Sequence, residues 1–493
     1  MQIRISQHPT LPRTGDLDDI TNLVILLPAP RPGRPKPRYP FRDILEERAQ
    51  RIELKEDSEK PLVTDLPNAV GTRVTLSHIP PEMDAFRLLT LARRHAAVHQ
   101  EQNPARIALI FPGIAGQARR ARLADAFAAA LLAGASPLPS FKRRAPKPPR
   151  LREIAFHGFA RPLDLGRTRA EAEGNNLARS LTALPPNELT PGAYRRRIAR
   201  LARTEGWSLR FLDTRALAKE GAGAFLAVAQ GSPEADAGII HLRYTPARGR
   251  RGKAVALVGK GICFDTGGLN LKPARHMHGM HEDMQGSAVA LGTLLTLSRL
   301  RVPFPVHCWL ALAQNHIGPR AYKQNDVVTA CDGTTIEVVH TDAEGRMVLA
   351  DTLALAAKKK PALMIDYATL TGACVYALSS RYSGACSNRP DLYETVIRAG
   401  RESGERVWPF PMDEDYDEAL ESKIADIKQC TLDGEADQIL AARFLQRFAG
   451  DIPWLHIDLA AGNHKGGLAH IPTDITGFGI RFTTRLLLDE GVL

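Results

Sequence analysis

The sequence is poor in the features that mark disulfide-linked, secreted or membrane-spanning proteins. Its 493 residues include only 6 cysteines, and no two of them form the C-x-x-C spacing typical of thiolate metal sites. No stretch of about 18 uncharged apolar residues occurs, so we expect no membrane-spanning helix and no membrane partner. The first residues, MQIRISQHPTLPRTG, lack the apolar core of a signal peptide, which predicts a cytoplasmic protein. Any metal must be held by ligands other than thiolates.

The composition indicates a folded chain of more than one domain. Apolar residues make up 44% of the chain and charged residues 24%, values typical of globular proteins rather than disordered ones. A length of 493 residues exceeds what one hydrophobic core normally supports, so we expect two domains of unequal size.

The excess of basic residues is concentrated in two proline-rich tracts. The formal charge is +11, and the tracts are PRPGRPKPRYPFRD (30–43) and FKRRAPKPPRLRE (141–153). Such tracts favour solvated loops when they carry no recognised binding motif. A nucleic-acid partner is the less favoured interpretation.

Alternating strand-like and helix-like segments predict an α/β fold along the whole chain. Continuous apolar runs such as AVALVGKGICF and ALMIDYATL indicate buried strands, and GRMVLADTLALAAKK between them indicates a helix. This alternation predicts a mostly parallel central sheet covered by helices on both faces. The predicted organisation is a smaller N-terminal α/β domain (1–160), a connecting helix region (161–190) and a larger C-terminal α/β domain (191–493).

Charged residues collect where predicted strands of the larger domain end. The positions are Lys260, Asp265 and Lys272 in VGKGICFDTGGLNLK, Asp283 in HEDMQGSA, and Asp342 and Glu344 in HTDAEGR. A fourth stretch, ATLTGA, also follows a predicted strand. Because ligand sites in parallel sheets form beyond the carboxyl ends of the strands, we expect these side chains to converge.

The close spacing of Asp342 and Glu344 indicates a bound cation. If strand geometry continues through residue 344, side-chain alternation points both carboxylates the same way. Two negative charges that close are costly unless a cation lies between them. With Asp265 and Asp283 they give four carboxylates, hard ligands that suit Mg²⁺, Mn²⁺ or Zn²⁺ and suffice for two ions.

Each acidic residue also has an ordinary structural interpretation. Asp265 precedes T-G-G and can form a turn, while Asp283 can cap the helix that follows it. Glu344 can be the first-turn acid of the next helix. The residues alone leave these alternatives open.

The order and spacing of the motifs resemble the leucyl aminopeptidase family of dinuclear metallopeptidases, the M17 family. The motifs are GKGICFDTGGLNLK, EDM, TDAEGRMVLAD and ATLTGA, with further similarity in LPPNELTP, SKIADIKQ and IDLAAG. The resemblance covers roughly residues 165–481, and the first 160 residues are similar only in size and α/β character. It implies that 191–493 form the catalytic domain and that 1–160 form a variable domain with an oligomeric or regulatory role.

The resemblance implies a site with two divalent ions, Zn²⁺ or Mn²⁺, and a bicarbonate ion. The implied metal ligands are Lys260, Asp265, Asp283, Asp342 and Glu344. The implied catalytic residues are Lys272 and Arg346, with bicarbonate held at Arg346 as general base beside Ala343, Gly345 and Leu370. The positions implied to line the pocket for the first substrate residue are Met280, Thr369 and Gly372.

The activity implied by the resemblance is the removal of the N-terminal residue from short peptides by a metal-activated water. Leucine or another apolar residue is expected to be preferred, and the preference is expected to be broad because apolar pockets discriminate modestly. The resemblance also implies a homohexamer. Two other function classes are less favoured: a binding protein with a basic N-terminal domain, and a dinuclear phosphoesterase that uses the same acidic set.

Several positions depart from the usual family pattern. They are His340, Gln285, Ser287 and the run HMHGMH (276–281). None is an implied metal ligand, so we expect them to act on the surroundings of the site. An accessory metal site at His276, His278 and His281 is less favoured than polar loop residues, because no regular element places all three on one face.

Overall fold

A computed structural model describes residues 3–30, 35–55, 58, 60–144, 146–247 and 252–493. The chain divides into a first unit, Met1–Ala172 with Lys465–Asp474, and a second unit, Glu173–His464 with Ile475–Leu493. The roles assigned to the predicted domains 1–160 and 191–493 stay predictions.

The first unit is built around a largely parallel sheet. Its elements are β1 (Arg4–His8), β2 (Asn22–Pro28), α1 (Arg42–Arg51), β3 (Leu62–Asp65), β4 (Arg73–Ile79), α2 (Ala85–Gln100), β5 (Arg106–Ile110), α3 (Gln117–Gly134) and β6 (Glu153–His157). The described strands form a six-stranded sheet in the order β1-β6-β5-β2-β4-β3. Strand β3 runs antiparallel to β4, and the other pairs are parallel. Helix α4 (Gly166–Thr182) continues from this unit into the second.

Side-chain alternation along the central strand β2 gives this sheet a core on each face. Val24 and Leu26 belong to the core that contains residues of α2 and α3. Leu23 and Ile25 belong to the opposite core, with Leu45 of α1. Both faces of the sheet are therefore buried, which explains why β2 reads as a continuous apolar run.

The second unit contains a larger mixed sheet. Its helices are α5 (Pro191–Glu205), α6 (Thr214–Lys219), α7 (Gly223–Ala229), α8 (Ala274–Met277), α9 (Gln285–Arg299), α10 (Glu344–Ala357), α11 (Gly372–Leu378), α12 (Tyr393–Ser403), α13 (Asp437–Ala449) and α14 (Ile480–Asp489). Its strands are β7 (Ser208–Asp213), β8 (Gly238–Tyr244), β9 (Val255–Asp265), β10 (Val306–Asn315), β11 (Val327–Thr329), β12 (Thr335–Glu337), β13 (Leu363–Ala368), β14 (Ser383–Ser387), β15 (Val407–Pro409), β16 (Ile427–Lys428) and β17 (Trp454–Asp458).

The centre of this sheet is parallel, as predicted. The order is β15-β14-β17-β13-β9-β10-β8-β7. Strands β17, β13, β9 and β10 are parallel neighbours, whereas β8, β7 and β14 pair antiparallel. The carboxyl ends of the four central strands therefore meet at one edge of the sheet.

Side chains along β9 alternate between the two faces of the sheet, and this alternation sets the face on which each residue of the GKGICFD motif lies. Val258 and Ile262 pack in the core formed with α7, α10 and α13. Gly259 faces the opposite side, where an added Cβ would lie 2.5 Å from the Cα of Ser287 on α9. Only glycine permits this close approach of helix to strand. Lys260 consequently extends from the face that α10 covers.

Strand geometry does not continue through residue 344, which was the condition for pointing Asp342 and Glu344 the same way. β12 ends at Glu337 and belongs to a separate three-stranded sheet with β11 and β16. Beyond Glu337 the N–H of Val339 donates to the Gln429 side chain at 2.7 Å rather than to a neighbouring strand. The chain then turns before α10 begins at Glu344.

The basic tracts carry little regular structure where they are described. Residues 141–144 and 146–152 lie in no helix or strand and are mostly exposed, as expected for a solvated loop. Residues 31–34 of the first tract lie outside the described residues. Among the helices of the described ranges, none has the length and apolarity needed to cross a membrane.

Candidate metal centre

The charged residues predicted to converge do meet at the carboxyl edge of the central sheet. Asp265 is the last residue of β9, and Thr369 follows the last residue of β13. Asp283 lies in a short 3₁₀ helix, Met280–Met284, directly before α9. Because β9 and β13 are parallel neighbours, their ends bring these side chains into one crevice.

Three carboxylates form a compact acidic cluster. Asp265, Asp342 and Glu344 each offer an oxygen, and these atoms all lie within 4.8 Å of one another. Strand alternation is not the cause, because Asp342 lies in a turn and Glu344 is the first residue of α10. The positive end of the helix dipole favours the Glu344 carboxylate at this position. Glu344 is therefore both the first-turn acid of α10 and a member of the cluster that could bind a metal ion.

A network of polar contacts holds the turn that carries Asp342. Thr341 N–H donates to Asn270 Oδ1 at 2.8 Å, and Asn270 N–H donates to Thr341 Oγ1 at 2.8 Å. The Thr341 carbonyl accepts from Tyr322 at 2.7 Å and from Asn315 Nδ2 at 3.0 Å. Asn315 also donates to Asp265 Oδ1 at 2.8 Å, so one amide links two parts of the acidic cluster.

Lys260 joins Asp283 to the cluster. Its Nζ lies 2.9 Å from Asp283 Oδ1 and 2.9 Å from Glu344 Oε1. Nζ also donates to the carbonyl of Thr369 at 2.9 Å, and Thr369 Oγ1 donates to Asp283 Oδ1 at 2.6 Å. The expected capping role of Asp283 is not observed, because α9 begins without a side-chain cap.

Lys272 makes the equivalent bridge on the other side of the cluster. Its Nζ lies 2.9 Å from Asp265 Oδ2 and 2.5 Å from Asp342 Oδ1. Asp265 also accepts the N–H of Gly267 at 2.8 Å, so it forms the turn that was one of its two interpretations. Turn formation leaves its second oxygen in the cluster.

Burial and mutual repulsion alter the ionisation of these groups. Burial, reinforced by the Glu344 and Asp265 carboxylates against the attraction of Lys260, raises the pKa of Asp283 to about 8. Burial and the same two carboxylates raise the pKa of Asp342 to about 7. For Lys260, burial lowers the pKa, but its carboxylate neighbours outweigh burial and the net pKa lies above the usual range.

Arg346 lies in the first turn of α10, beside the cluster, and its guanidinium contacts other partners. Its Nη1 donates to the carbonyl of Gln429 at 2.9 Å, and its Nη2 lies 2.6 Å from Asp437 Oδ1. Only 3% of its surface is exposed. The guanidinium is thus enclosed and already paired with a carboxylate.

Comparison with known protein families assigns most of the second unit to one family. A family profile described as "Cytosol aminopeptidase family, catalytic domain" matches residues 176–484. The chain belongs to the cytosol aminopeptidase family. The predicted resemblance is confirmed, and the matched segment contains the whole acidic cluster.

Individual relatives show how far the similarity to the cytosol aminopeptidase family extends. A probable cytosol aminopeptidase of Wolbachia pipientis is 41% identical over 65% of this chain and 64% of its own length. One from Parasynechococcus marenigrum is 39% identical over 86% of this chain and 88% of its own length. A mutant of tomato leucine aminopeptidase has a TM-score of 0.85 at 28% identity, covering 99% of this chain and 96% of that one. The structural likeness confirms the predicted α/β fold class.

The coverage of several relatives is incomplete. The Wolbachia relative and three others are matched over 62 to 65% of their length, just under two thirds. Activity, substrates and partners of this chain are therefore proposals.

The acidic cluster fits the two divalent ions implied for the cytosol aminopeptidase family. Its donors are carboxylate oxygens, which suit hard or borderline cations. Within the described residues, Asp283 Oδ2 and Glu344 Oε2 are buried and have no hydrogen-bond partner. Such oxygens are costly to bury unless a cation or a donor engages them.

Most of the groups implied to hold bicarbonate already have partners within the chain. The N–H of Ala343 donates to the carbonyl of His340 at 3.1 Å, and the N–H of Leu370 donates to Asp458 Oδ1 at 3.1 Å. Arg346 is also paired with Asp437, so a bicarbonate ion at the guanidinium would compete with a carboxylate of the chain itself.

The residues implied for the substrate pocket lie around the same crevice. Met280 begins the 3₁₀ helix and is half-buried, and Thr369 contacts Lys260 and Asp283 as described. Gly372 is exposed at the start of α11, and the nearest atom to an added Cβ, from Tyr376, is 3.9 Å away. Their contact with substrate stays a prediction.

The positions that depart from the family pattern make ordinary internal contacts. His340 Nδ1 accepts the N–H of Asp342 at 3.2 Å, and Gln285 Nε2 donates to the Gly462 carbonyl at 3.1 Å. Ser287 Oγ donates to the Met284 carbonyl at 2.6 Å. Among the described residues, the group that could hold a metal ion consists of Asp265, Asp342 and Glu344. None of the histidines in the run 276–281 belongs to it.

Sequence reasoning missed five residues that hold the site, although three of them lie within the quoted motifs. They are Asn270, Asn315, Gln429, Asp437 and Asp458. Asp458 had a detectable signal, because it is a carboxylate at a strand end, and Asn315 likewise ends β10. Gln429 ends the quoted motif SKIADIKQ, whereas Asp437 had no such signal, since it lies in no quoted motif and ends no predicted strand.

Proposed function

We propose that this chain is a metal-dependent aminopeptidase that removes the N-terminal residue from short peptides. The observation that carries the proposal is the buried cluster of Asp265, Asp342 and Glu344, bridged to Asp283 by Lys260. Membership of the cytosol aminopeptidase family supports the same conclusion.

We assign the acidic cluster to two divalent ions, Zn²⁺ or Mn²⁺. The first would be held by Lys260, Asp265, Asp283 and Glu344, and the second by Asp265, Asp342 and Glu344. When bound, such a pair supplies an acidified water and polarises the peptide carbonyl. As a ligand, the Lys260 amine must lose its proton, so metal uptake and proton release are coupled at this residue.

The chain's own residues bind and orient the peptide. Lys272 carries a proton and can donate a hydrogen bond to the oxygen of the scissile carbonyl as negative charge develops there. The free α-amine of the peptide would be held by one of the two ions, which limits cleavage to the first residue. The apolar side chain of that residue is assigned to the pocket at Met280, Thr369 and Gly372, so leucine is the expected preference.

The assembly and location are further parts of the proposal. A homohexamer is proposed on the family resemblance, and native mass spectrometry of the purified chain tests it. The name shared by the relatives, cytosol aminopeptidase, supports a cytoplasmic location.

The experiment that tests the function is hydrolysis of leucine p-nitroanilide. The protein is stripped with a chelator and then restored with Mn²⁺ or Zn²⁺, and N-acetylated leucine p-nitroanilide serves as the substrate without a free amine. Turnover of the free-amine substrate alone, dependent on metal, is expected. An Asp342→Ala variant should be inactive, and an Asp332→Ala variant, altered in an exposed turn, should remain active.

The same experiment separates the two less favoured functions. Turnover of a phosphoester in preference to the peptide analogue would replace the proposal with a phosphoesterase. A folded, metal-loaded protein with no turnover of either substrate would favour the binding-protein interpretation.

A further inference from the structure

The anion position beside Arg346 is filled from within the chain. Asp437 Oδ1 lies 2.6 Å from Arg346 Nη2, and the guanidinium is enclosed with only 3% of the residue exposed. A charge-assisted contact of this length is strong in such an environment. A second anion would have to displace Asp437 or leave one negative charge without a partner.

The surroundings of Arg346 hold it toward Asp437. The Gln429 carbonyl accepts from Nη1, and the Gln429 side chain accepts the N–H of Val339 at 2.7 Å and of His340 at 3.1 Å. Gln429 Nε2 also donates to the Ala343 carbonyl at 3.2 Å. One buried glutamine therefore fixes both the guanidinium and the loop that leads to it.

The start of α13 brings Asp437 to this position. Asp437 is the first residue of the helix, and the residue before it, Ala436, has φ of 50° and ψ of 29°. This is the left-handed region, which non-glycine residues seldom adopt. The side chain of Asp437 is 27% exposed, so its carboxylate lies between the buried guanidinium and the surface.

Carboxylate and bicarbonate are chemically equivalent partners for a guanidinium. Each is a monoanion whose oxygens accept the parallel N–H groups of an arginine. Of the backbone groups implied to hold bicarbonate at Ala343, Gly345 and Leu370, the N–H groups of Ala343 and Leu370 already donate to the His340 carbonyl and to Asp458 Oδ1. We propose that the Asp437 carboxylate is a built-in anion at Arg346, so that this chain neither binds nor requires bicarbonate. The proposal rests on the proposed aminopeptidase function only for its kinetic readout.

Binding of ¹³C-labelled bicarbonate, followed by NMR line broadening, tests the proposal directly. The samples are the metal-loaded chain, Asp437→Ala, Asp437→Asn and the control Asp433→Ala, an exposed aspartate four residues earlier. The unsubstituted chain and Asp433→Ala should not bind the ion. Asp437→Ala should bind it, and adding Arg346→Ala should abolish that binding. If Asp437→Ala fails to fold, Asp437→Asn provides the same test, because it retains the shape of the side chain and removes the charge.

Hydrolysis of leucine p-nitroanilide in carbon-dioxide-free buffer gives the second readout. Added bicarbonate should leave the unsubstituted chain unchanged and raise the turnover of Asp437→Ala by about tenfold or more, the scale of one charged hydrogen bond. Bicarbonate binding to the unsubstituted chain, removed by Arg346→Ala, would overturn the proposal. So would failure of both Asp437 variants to bind the ion. An inactive chain that gives the expected binding pattern would refute the aminopeptidase function and leave the built-in anion standing.

Discussion

Single residues in this site are held mainly by the pairing of opposite charges. Lys260 bridges Asp283 and Glu344, and Lys272 bridges Asp265 and Asp342. Each carboxylate alone would be costly to bury, and each lysine offsets part of that cost. The side chains therefore stay close together while unshared oxygens remain for a cation.

At the scale of single residues, Asp283→Asn should cause the loss of bound metal. Asp283 Oδ2 is buried and unpaired among the described residues, and an amide in its place is neutral and a poor ligand. Metal content after dialysis, measured by mass spectrometry, should fall by about one ion per chain. Glu282→Gln, which alters the neighbouring residue that accepts from Asn463, should retain both ions. Full metal content in Asp283→Asn would exclude this ligand assignment.

At the scale of elements, the start of α10 packs directly against the side chain of Lys260. An added Cβ on Gly345 would lie 2.7 Å from the Cε and Nζ atoms of Lys260. The helix therefore needs glycine here, although glycine inside a helix costs about 0.5–1 kcal/mol relative to alanine.

Gly345→Ala should displace Lys260 and lower both metal content and turnover. The substitution favours the helix but forces the lysine away from Asp283 and Glu344, and a misplaced ligand weakens the site. Metal content and leucine p-nitroanilide hydrolysis provide the measurement. Gly15→Ala, where an added Cβ meets nothing within 4 Å, is the control. Unchanged metal content in Gly345→Ala would mean that Lys260 is not a ligand.

Helix α2 gives the first unit a pH dependence. His95 bonds to Thr75 and Ser77 at 2.7 and 2.9 Å, and His99 bonds to Thr75 at 2.8 Å. Burial lowers the pKa of both histidines to about 3. The unfolded chain takes up protons near pH 6.5, whereas the folded chain does so only near pH 3. Stability is thus fully present above pH 6.5 and decreases as the pH falls from 6.5 toward 3.

Acidification from pH 7 to pH 5 should therefore destabilise α2. The expected loss is about 1.4 kcal/mol per pH unit below 6.5 for each histidine. Hydrogen exchange at the α2 amides measures it, because the tryptophans of the chain all lie in the second unit. His99→Gln should reduce the pH slope by about half. Equal slopes in the two chains would show that His99 does not carry the effect.

At the scale of the whole molecule, the predicted site and the basic tracts belong to different units. The acidic cluster lies within Glu173–His464, and both tracts lie within Met1–Ala172. Because neither tract contributes a residue to the unit that holds the cluster, we expect the excess positive charge to take no part in the chemistry.

Removing basic residues from the first unit should leave hydrolysis unchanged. The exposed residues Arg38, Lys142 and Arg143 are changed together to alanine, since none of them belongs to the second unit. Values of kcat and KM for leucine p-nitroanilide should match those of the unsubstituted chain. A reduced kcat with intact metal content would instead give the tracts a role in catalysis.

The strand pattern and the signature residues were accessible from the sequence because both are local. The apolar run around Lys260 predicts β9, and the carboxylates at strand ends predict one crevice. The mechanism proposed for joining Asp342 to Glu344 was wrong. A turn and a helix start bring them together, and the hydrogen bonds that hold the turn come from Asn270, Asn315 and Tyr322, distant in the chain.

By itself, the sequence determined the family, the α/β class and the set of charged residues, because periodicity and motif spacing follow from the order of residues along the chain. Only the tertiary structure decided how those charges are paired. Arg346 meets Asp437 91 residues away, and Lys260 meets Glu344 across the sheet edge. Such contacts depend on which strand ends and helix starts are neighbours in space. Local sequence patterns carry no information about that arrangement.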